Sequence, residues 1–284
     1  MSDQIQQIVA NTCDLISFPK AAGRVNAVVS SPDSGAADVA KAITQDPALA
    51  AKLLRIANSA FYGFRGEVST VTRAVTLLGM NPIRSLVLGS ASADLIKQLP
   101  NELVSLENFW PQAIQCSIAA RELAGRCRGV EREALFIAGL LHNIGLLVLF
   151  NQMPEKSLQA QKAYIYGPED RRREDAEAEV FGFNHAQVGA ALLHAWDFPA
   201  ALYEPIEFLT NPEQAPTYKK QAAVLQIAHT AAFVAETEAE DLDDAPEIDA
   251  VCFALTGLTE DDVLQVAEVA QSEMSSVRHI LDLN

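Results

Sequence analysis

Helix-start and helix-stop signals recur along the whole sequence, whereas alternating apolar and polar runs joined by hairpin turns are missing. That pattern confines the chain to an all-α fold. Asp46-Pro47 places a capping carboxylate before a proline at the first helical position, and Ala48 to Ala57 follows with apolar residues at three- and four-residue spacing. Asn81-Pro82 repeats the device and predicts a helix through Ile96, with Gly79 closing the preceding segment from Thr72 to Leu78. Turns this short make successive helices packing neighbours. Further helices are predicted at Pro111–Arg126, Arg132–Phe150, Asp170–Phe181, His185–Trp196 and Thr217–Glu236. Pro100 and Asn108 bracket a boundary between two helical halves.

Of the 284 residues, 49% are hydrophobic, enough to bury a large core. Lys and Arg number 21 against 37 Asp and Glu, a net charge of −16, so the average field repels nucleic acid and acidic lipid. Much of that charge lies between Glu236 and Glu273, and no Lys or Arg stands between Lys220 and Arg278. This acidic tail reads either as a solvated loop and helix face or as a partner-docking surface. Thr259-Glu260-Asp261-Asp262 within it has the form of a capping box.

The start of the chain has no basic region followed by a continuous apolar stretch, which predicts a cytoplasmic protein. Cys13, Cys116, Cys127 and Cys252 form no Cys-x-x-Cys pair and read as reduced core residues. The most apolar stretch, Ala134 to Phe150, contains His142-Asn143 and Gly145, short and polar for a bilayer span, so a buried helix is expected.

Glycine-rich phosphate loops and the Gly-x-Ser-x-Gly elbow are absent, which leaves histidine as the chemical lead. His142 and Asn143 form a polar pair inside an apolar helix and need partners there. They are either a site or a hydrogen-bonded piece of core. His185 opens another helix and either faces solvent or points back toward His142. His194 lies off that face and reads as structural, and His229 sits in the apolar segment Leu225–Thr230. A metal-dependent hydrolase would need imidazoles plus a carboxylate, and the one carboxylate next to any of these histidines in sequence is Asp197, close after His194.

The ordered segments Ile43-Thr44-Gln45-Asp46-Pro47-Ala48-Leu49, Leu53 to Gly63 with its Asn58-Ser59-Ala60-Phe61-Tyr62-Gly63 end, and Ala74 to Gly79 resemble the N-terminal half of the HDOD domain. Ala138 to Gly145, Phe181 to Ala190 and Trp196-Asp197-Phe198-Pro199 resemble its HD-like half, so the likeness spans about residues 15–235. It implies an N-terminal helical subdomain over 1–104, an HD-like bundle over 105–240 and an acidic helical extension over 241–284, the halves meeting near Phe61 and Tyr62.

Active relatives of that family, the HD phosphohydrolases, bind metal through His, His-Asp and Asp positions. In this chain those positions resemble Gln112, His142-Asn143, His185 and His229, and Phe208-Leu209 stands where many relatives carry a His pair. The implied site is vestigial, with no catalytic residue, metal or cofactor expected. Iron, manganese, zinc or magnesium enters only if the chain is instead an HD-type phosphohydrolase acting on a nucleotide or cyclic dinucleotide. The resemblance implies a regulatory module of bacterial signal transduction, two-component or cyclic-di-GMP related, whose relatives often accompany response-regulator or cyclase domains. Its partner would be a signalling protein, with a nucleotide as a further candidate ligand, and neither nucleic acid nor membrane. Asp46 is expected to cap its helix. Asn58, Ser59, Phe61, Tyr62 and Gly63 are expected either to close a helix and pack an aromatic pair against the other half, or to hold a ligand.

Overall fold

A computed structural model describes residues 3–98, 104–168, 171–239, 241–243, 245–281 and 283. Pro100, read as part of a boundary, and Asp170, read as a helix start, lie outside them. Among the described residues there is no strand. The N-terminal helices are α1 (Asp3–Leu15), α2 (Lys20–Ser30), α3 (Ala36–Thr44), α4 (Pro47–Ala57), α5 (Val71–Leu78) and α6 (Met80–Ile96). The rest of the chain forms α7 (Leu106–Arg126), α8 (Arg132–Leu141), α9 (Ile144–Gln152), α10 (Pro154–Ile165), α11 (Arg173–Phe181), α12 (His185–Ala195), α13 (Ala200–Glu207), α14 (Lys219–Thr237), α15 (Ala250–Thr256) and α16 (Glu260–Ile280).

Local chemistry accounts for most of these boundaries. The Asp46 carboxylate accepts the backbone N–H groups of Ala48 and Leu49 at 3.0 and 3.1 Å, satisfying donors that the first turn of α4 leaves free. Thr259 and Asp262 cap α16 reciprocally. At the start of α14 the buried Glu204 carboxylate takes the N–H groups of Thr217 and Tyr218, both at 2.6 Å.

Three sequence expectations are corrected. Asn81 is not a cap: Gly79, at φ 93°, both ends α5 and precedes α6, so the helix starts before Asn81-Pro82. Pro111 lies inside α7, which begins at Leu106. The continuous helix expected over Arg132–Phe150 is interrupted at His142-Asn143, where Asn143 leaves helical geometry at φ −95°, ψ 7°. The stretch Arg132–Gln152 is long and apolar enough to cross a membrane by composition, yet 89% of its most apolar window is buried inside the fold.

Helix α7 is the central post, packed against α8, α14 and α16. The acidic C-terminal segment is therefore part of the bundle: α16 buries Val263, Val266, Ala267, Ala270 and Val277, and turns Glu260 and Asp261 outward. Helices α2 to α6 pack among themselves, and α6 leans on α8. Helix α1 finds its main contacts across the molecule, on α9 and α12. Beside it, the Asn26 amide donates to the Asp197 carbonyl at 2.6 Å.

Candidate functional site

Two glycines explain why the His142-Asn143 pair sits where it does. A Cβ at Gly139 would come within 2.7 Å of the Ser117 Cα on α7, and one at Gly145 within 1.9 Å of the His185 carbonyl on α12. Glycine at both positions lets three backbones approach closely, and the chain breaks between them with its two polar side chains pointed into the bundle.

His142 is fully buried. Its Nδ1 lies 2.6 Å from the Gly139 carbonyl, so Nδ1 carries the proton that it donates, and Nε2 has no hydrogen-bond partner. The His229 ring stands edge-on to it with centroids 5.3 Å apart. Burial first, and His229 second, hold His142 well below the usual imidazole value, so the ring is neutral. Burial likewise depresses His229, although Glu174 pulls the other way.

A second set runs across four segments. Gln112 Oε1 on α7 accepts from Asn143 Nδ2 at 3.0 Å, and Asn143 Oδ1 lies 3.1 Å from His185 Nε2. His185 Nδ1 lies 2.7 Å from Glu177 Oε2, and the same oxygen accepts the His185 backbone N–H at 2.7 Å. Glu174 Oε1 is 4.0 Å from His185 Nε2. Burial works against a proton on His185, but Glu177 and then Glu174 outweigh it and the group is raised. Glu174 is lowered despite its burial, because His185 and His229 face it.

His185 is 1% exposed and reaches Asn143 rather than solvent. Asn184 and Gln187 cap its helix reciprocally and fix its entry into the cluster. The reading that no carboxylate accompanies these histidines apart from Asp197 is corrected: Glu174 and Glu177 come from α11. Sequence reasoning missed both because they lie in a charge-rich segment, Arg171 to Glu179, that has the composition of a solvated helix. Their three-residue spacing on one face, just ahead of His185, was the available signal. Among the described residues, no three of His, Cys, Asp or Glu are arranged to hold a metal ion.

The N-terminal motif lies apart from this cluster. Asn58 donates to the Leu54 and Val68 carbonyls at 2.9 and 2.8 Å and accepts the Val68 N–H at 2.7 Å, pinning the loop after α4. Ser59 Oγ donates to the Ile56 carbonyl at 2.7 Å, and Gly63 turns the chain at φ 58°. Phe61 packs on Phe136 of α8 at 5.3 Å, and the Arg121 guanidinium of α7 covers Phe61 at 4.2 Å and Tyr62 at 5.2 Å. His194 is exposed and stacks edge-on against Tyr203. A groove of about 630 Å³ opens between α2 and the Trp196-Asp197 turn, lined by Phe18, Lys20 and Asn26 among others and by none of the site residues expected from sequence.

Comparison with known proteins agrees with this architecture. The family model described as HDOD domain matches residues 15–212. A provisionally assigned phosphohydrolase of Shewanella amazonensis SB2B is similar in structure, 30% identical, with a TM-score of 0.73 over 99% of this chain and 98% of that one. An HDOD domain protein of unknown function from Geobacter sulfurreducens shares the fold at 22% identity and a TM-score of 0.65, over 99% of this chain and 97% of its own. An uncharacterized Treponema pallidum (strain Nichols) protein is 26% identical over 221 residues, which is 76% of this chain, and the chain spans 42% of that relative's length.

Proposed function

Because the chain belongs to the HDOD domain family, we propose that it is a non-catalytic regulatory module of bacterial signal transduction, acting by binding a protein partner or a small ligand. The observation that carries this reading is the engagement of Asn143. A hydrolytic divalent ion in such a cluster needs an anionic oxygen and free imidazole lone pairs. Asn143 supplies a neutral amide, bonded at one end to Gln112 and at the other to His185. His185 in turn has both ring nitrogens engaged. With Asn143 neutral, His185 engaged at both nitrogens and the Glu174 and Glu177 carboxylates turned on that ring, we read the cluster as one that holds no catalytic metal.

The partner we expect is a signalling protein of the cytoplasm. The net charge of −16 disfavours nucleic acid and anionic membrane as alternatives. The groove beside Trp196 has the size range of small-molecule sites and is where a small ligand would be sought.

The test combines turnover and cellular response. With manganese, iron or magnesium in excess, bis(p-nitrophenyl) phosphate and cyclic dinucleotides should be hydrolysed no faster by this chain than by buffer. A signalling response lost with the protein should be restored by a His142→Ala chain. Metal-dependent turnover that disappears in His142→Ala would overturn the proposal. It would establish the second reading, an HD-type phosphohydrolase, which is favoured by the provisional assignment of the Shewanella relative and by the unpartnered Nε2 of His142.

A further inference from the structure

The groove between α2 and the Trp196-Asp197 turn holds about 630 Å³, the range of sites that take a whole small molecule rather than one side chain. Lys20, Gly23, Ala27 and Ser30 line it at three- and four-residue spacing, so one face of α2 forms a wall. Phe18 and Trp196 supply an aromatic surface, with ring centroids 5.4 Å apart. Gly23 is the informative position. Glycine inside a helix is destabilising relative to alanine, and it is tolerated where another chain comes too close for a methyl group. A Cβ at Gly23 would meet nothing within 4 Å. Packing does not require this glycine, and what its missing side chain leaves open is the groove.

The walls also carry unused polar groups. Lys20 and Asp197 bring opposite exposed charges, and among the described residues neither is in an ion pair. Lys20 stands in the first turn of α2, whose start has no side-chain cap, so the helix dipole adds to its attraction for an anion. Asn26 and Trp196, only 7% and 6% exposed, each hold a polar atom without a hydrogen-bond partner. Asn26 Nδ2 donates to the Asp197 carbonyl at 2.6 Å, which fixes the amide and leaves Oδ1 as an unused acceptor. Trp196 Nε1–H is an unused donor beside the weakly accepting Cys13 thiol. Leaving such buried atoms unpaired costs free energy, and a peptide unit carries the matching N–H and C=O in one group.

We propose that this groove binds a short free peptide, two or three residues long, with an apolar side chain. Its carboxylate end meets Lys20, its amine end meets Asp197, and its side chain lies on Phe18 and Trp196. A small rotation of the wall side chains brings its peptide unit to Asn26 Oδ1 and Trp196 Nε1. One lysine opposite one aspartate suits a zwitterion and is a poor match for a polyanionic nucleotide. The inference names a ligand class for the small-ligand arm of the proposed function, and rests on that reading for what the binding would control.

Cys13 supplies the probe. It lines the groove half-buried, whereas Cys116, Cys127 and Cys252 are buried, so iodoacetamide on the native full chain reads Cys13. Leucyl-phenylalanine, titrated to about 10 mM, should slow that alkylation saturably, and its N-acetylated and C-amidated forms should bind at least about tenfold more weakly. Calorimetry should give the same affinity for the free dipeptide and show it lost in Gly23→Leu, which fills the groove from a position with room for a side chain, with far-UV circular dichroism unchanged. In Asp197→Asn, a residue that tolerates the φ of 59° there, the free amine should lose its advantage over the acetylated form. Absence of saturable binding would overturn the proposal, as would binding that survives Gly23→Leu or equal affinity for free and blocked dipeptides. Protection of Cys13 by ATP but not by the dipeptide would overturn it and reassign the groove. If Gly23→Leu does not fold, the comparison of free and blocked dipeptides on the native chain decides alone. Neither alkylation nor calorimetry measures turnover or signalling, so failure here is told apart from failure of the regulatory reading.

Discussion

His142 stays neutral because burial and the neighbouring His229 disfavour a second proton, whereas His185, equally buried, is pushed the other way by Glu177 and Glu174. The two therefore pull stability in opposite directions with pH. Below the unfolded imidazole value of 6.5, an unfolded chain takes up protons that folded His142 and His229 refuse, so each costs up to about 1.4 kcal/mol per pH unit on acidification. The contribution of His185 is complete below 6.5 and is lost as pH rises through its raised value. Urea denaturation should show stability falling from about pH 6.5 to about pH 5, where the two depressed groups act and the contribution of His185 is already complete, and His142→Leu should flatten that fall. At this scale the sequence was half legible. The polar break at 142–143 and the histidines were visible, because a polar pair in an apolar run is conspicuous. The two glutamates were not, because burial of a carboxylate is decided by a partner eight residues away, as Glu177 is by His185.

Caps and close approaches set the elements. Asp46→Ala should cost about 0.5–2 kcal/mol in urea or thermal denaturation, by stranding two amide donors, without altering metal or ligand binding. Two glycine-to-alanine changes should diverge. Gly145→Ala drives a methyl into the His185 carbonyl, with backbone on both sides, and should cost about 3 kcal/mol or more. Gly23→Ala meets nothing within 4 Å inside α2 and should stabilise by about 0.5–1 kcal/mol. Helix starts were readable where cap and proline agree, as at Asp46-Pro47. At Asn81-Pro82 the same pair misled, because a positive-φ glycine two residues earlier had already set the start. The polar pair at 142–143 was visible, but not that the helix ends there, since the close approach of α7 and α12 at Gly139 and Gly145 depends on the tertiary packing.

Across the whole molecule one contiguous apolar cluster runs from Ile5 through the α7 post to Leu283. The resemblance implies two packed subdomains and an extension, and among the described residues these parts are in contact: Phe61 meets Phe136, α6 leans on α8, and α16 lies on α7. Tryptophan fluorescence, reporting Trp110 and Trp196, should therefore unfold in step with far-UV circular dichroism, which reports every helix. Separate midpoints would mean that the N-terminal helices melt on their own.

Helix α1 docks on α9 and α12, and Asn26 bonds to Asp197 across 171 positions of chain. On a ribosome the opening helix emerges long before its landing surface has been made. It must wait, amphipathic and unmatched, while the central post and α12 assemble. Closing so large a loop comes late and slowly, so consolidation of α1 should be the last event of folding, and its detachment the first sign of unfolding.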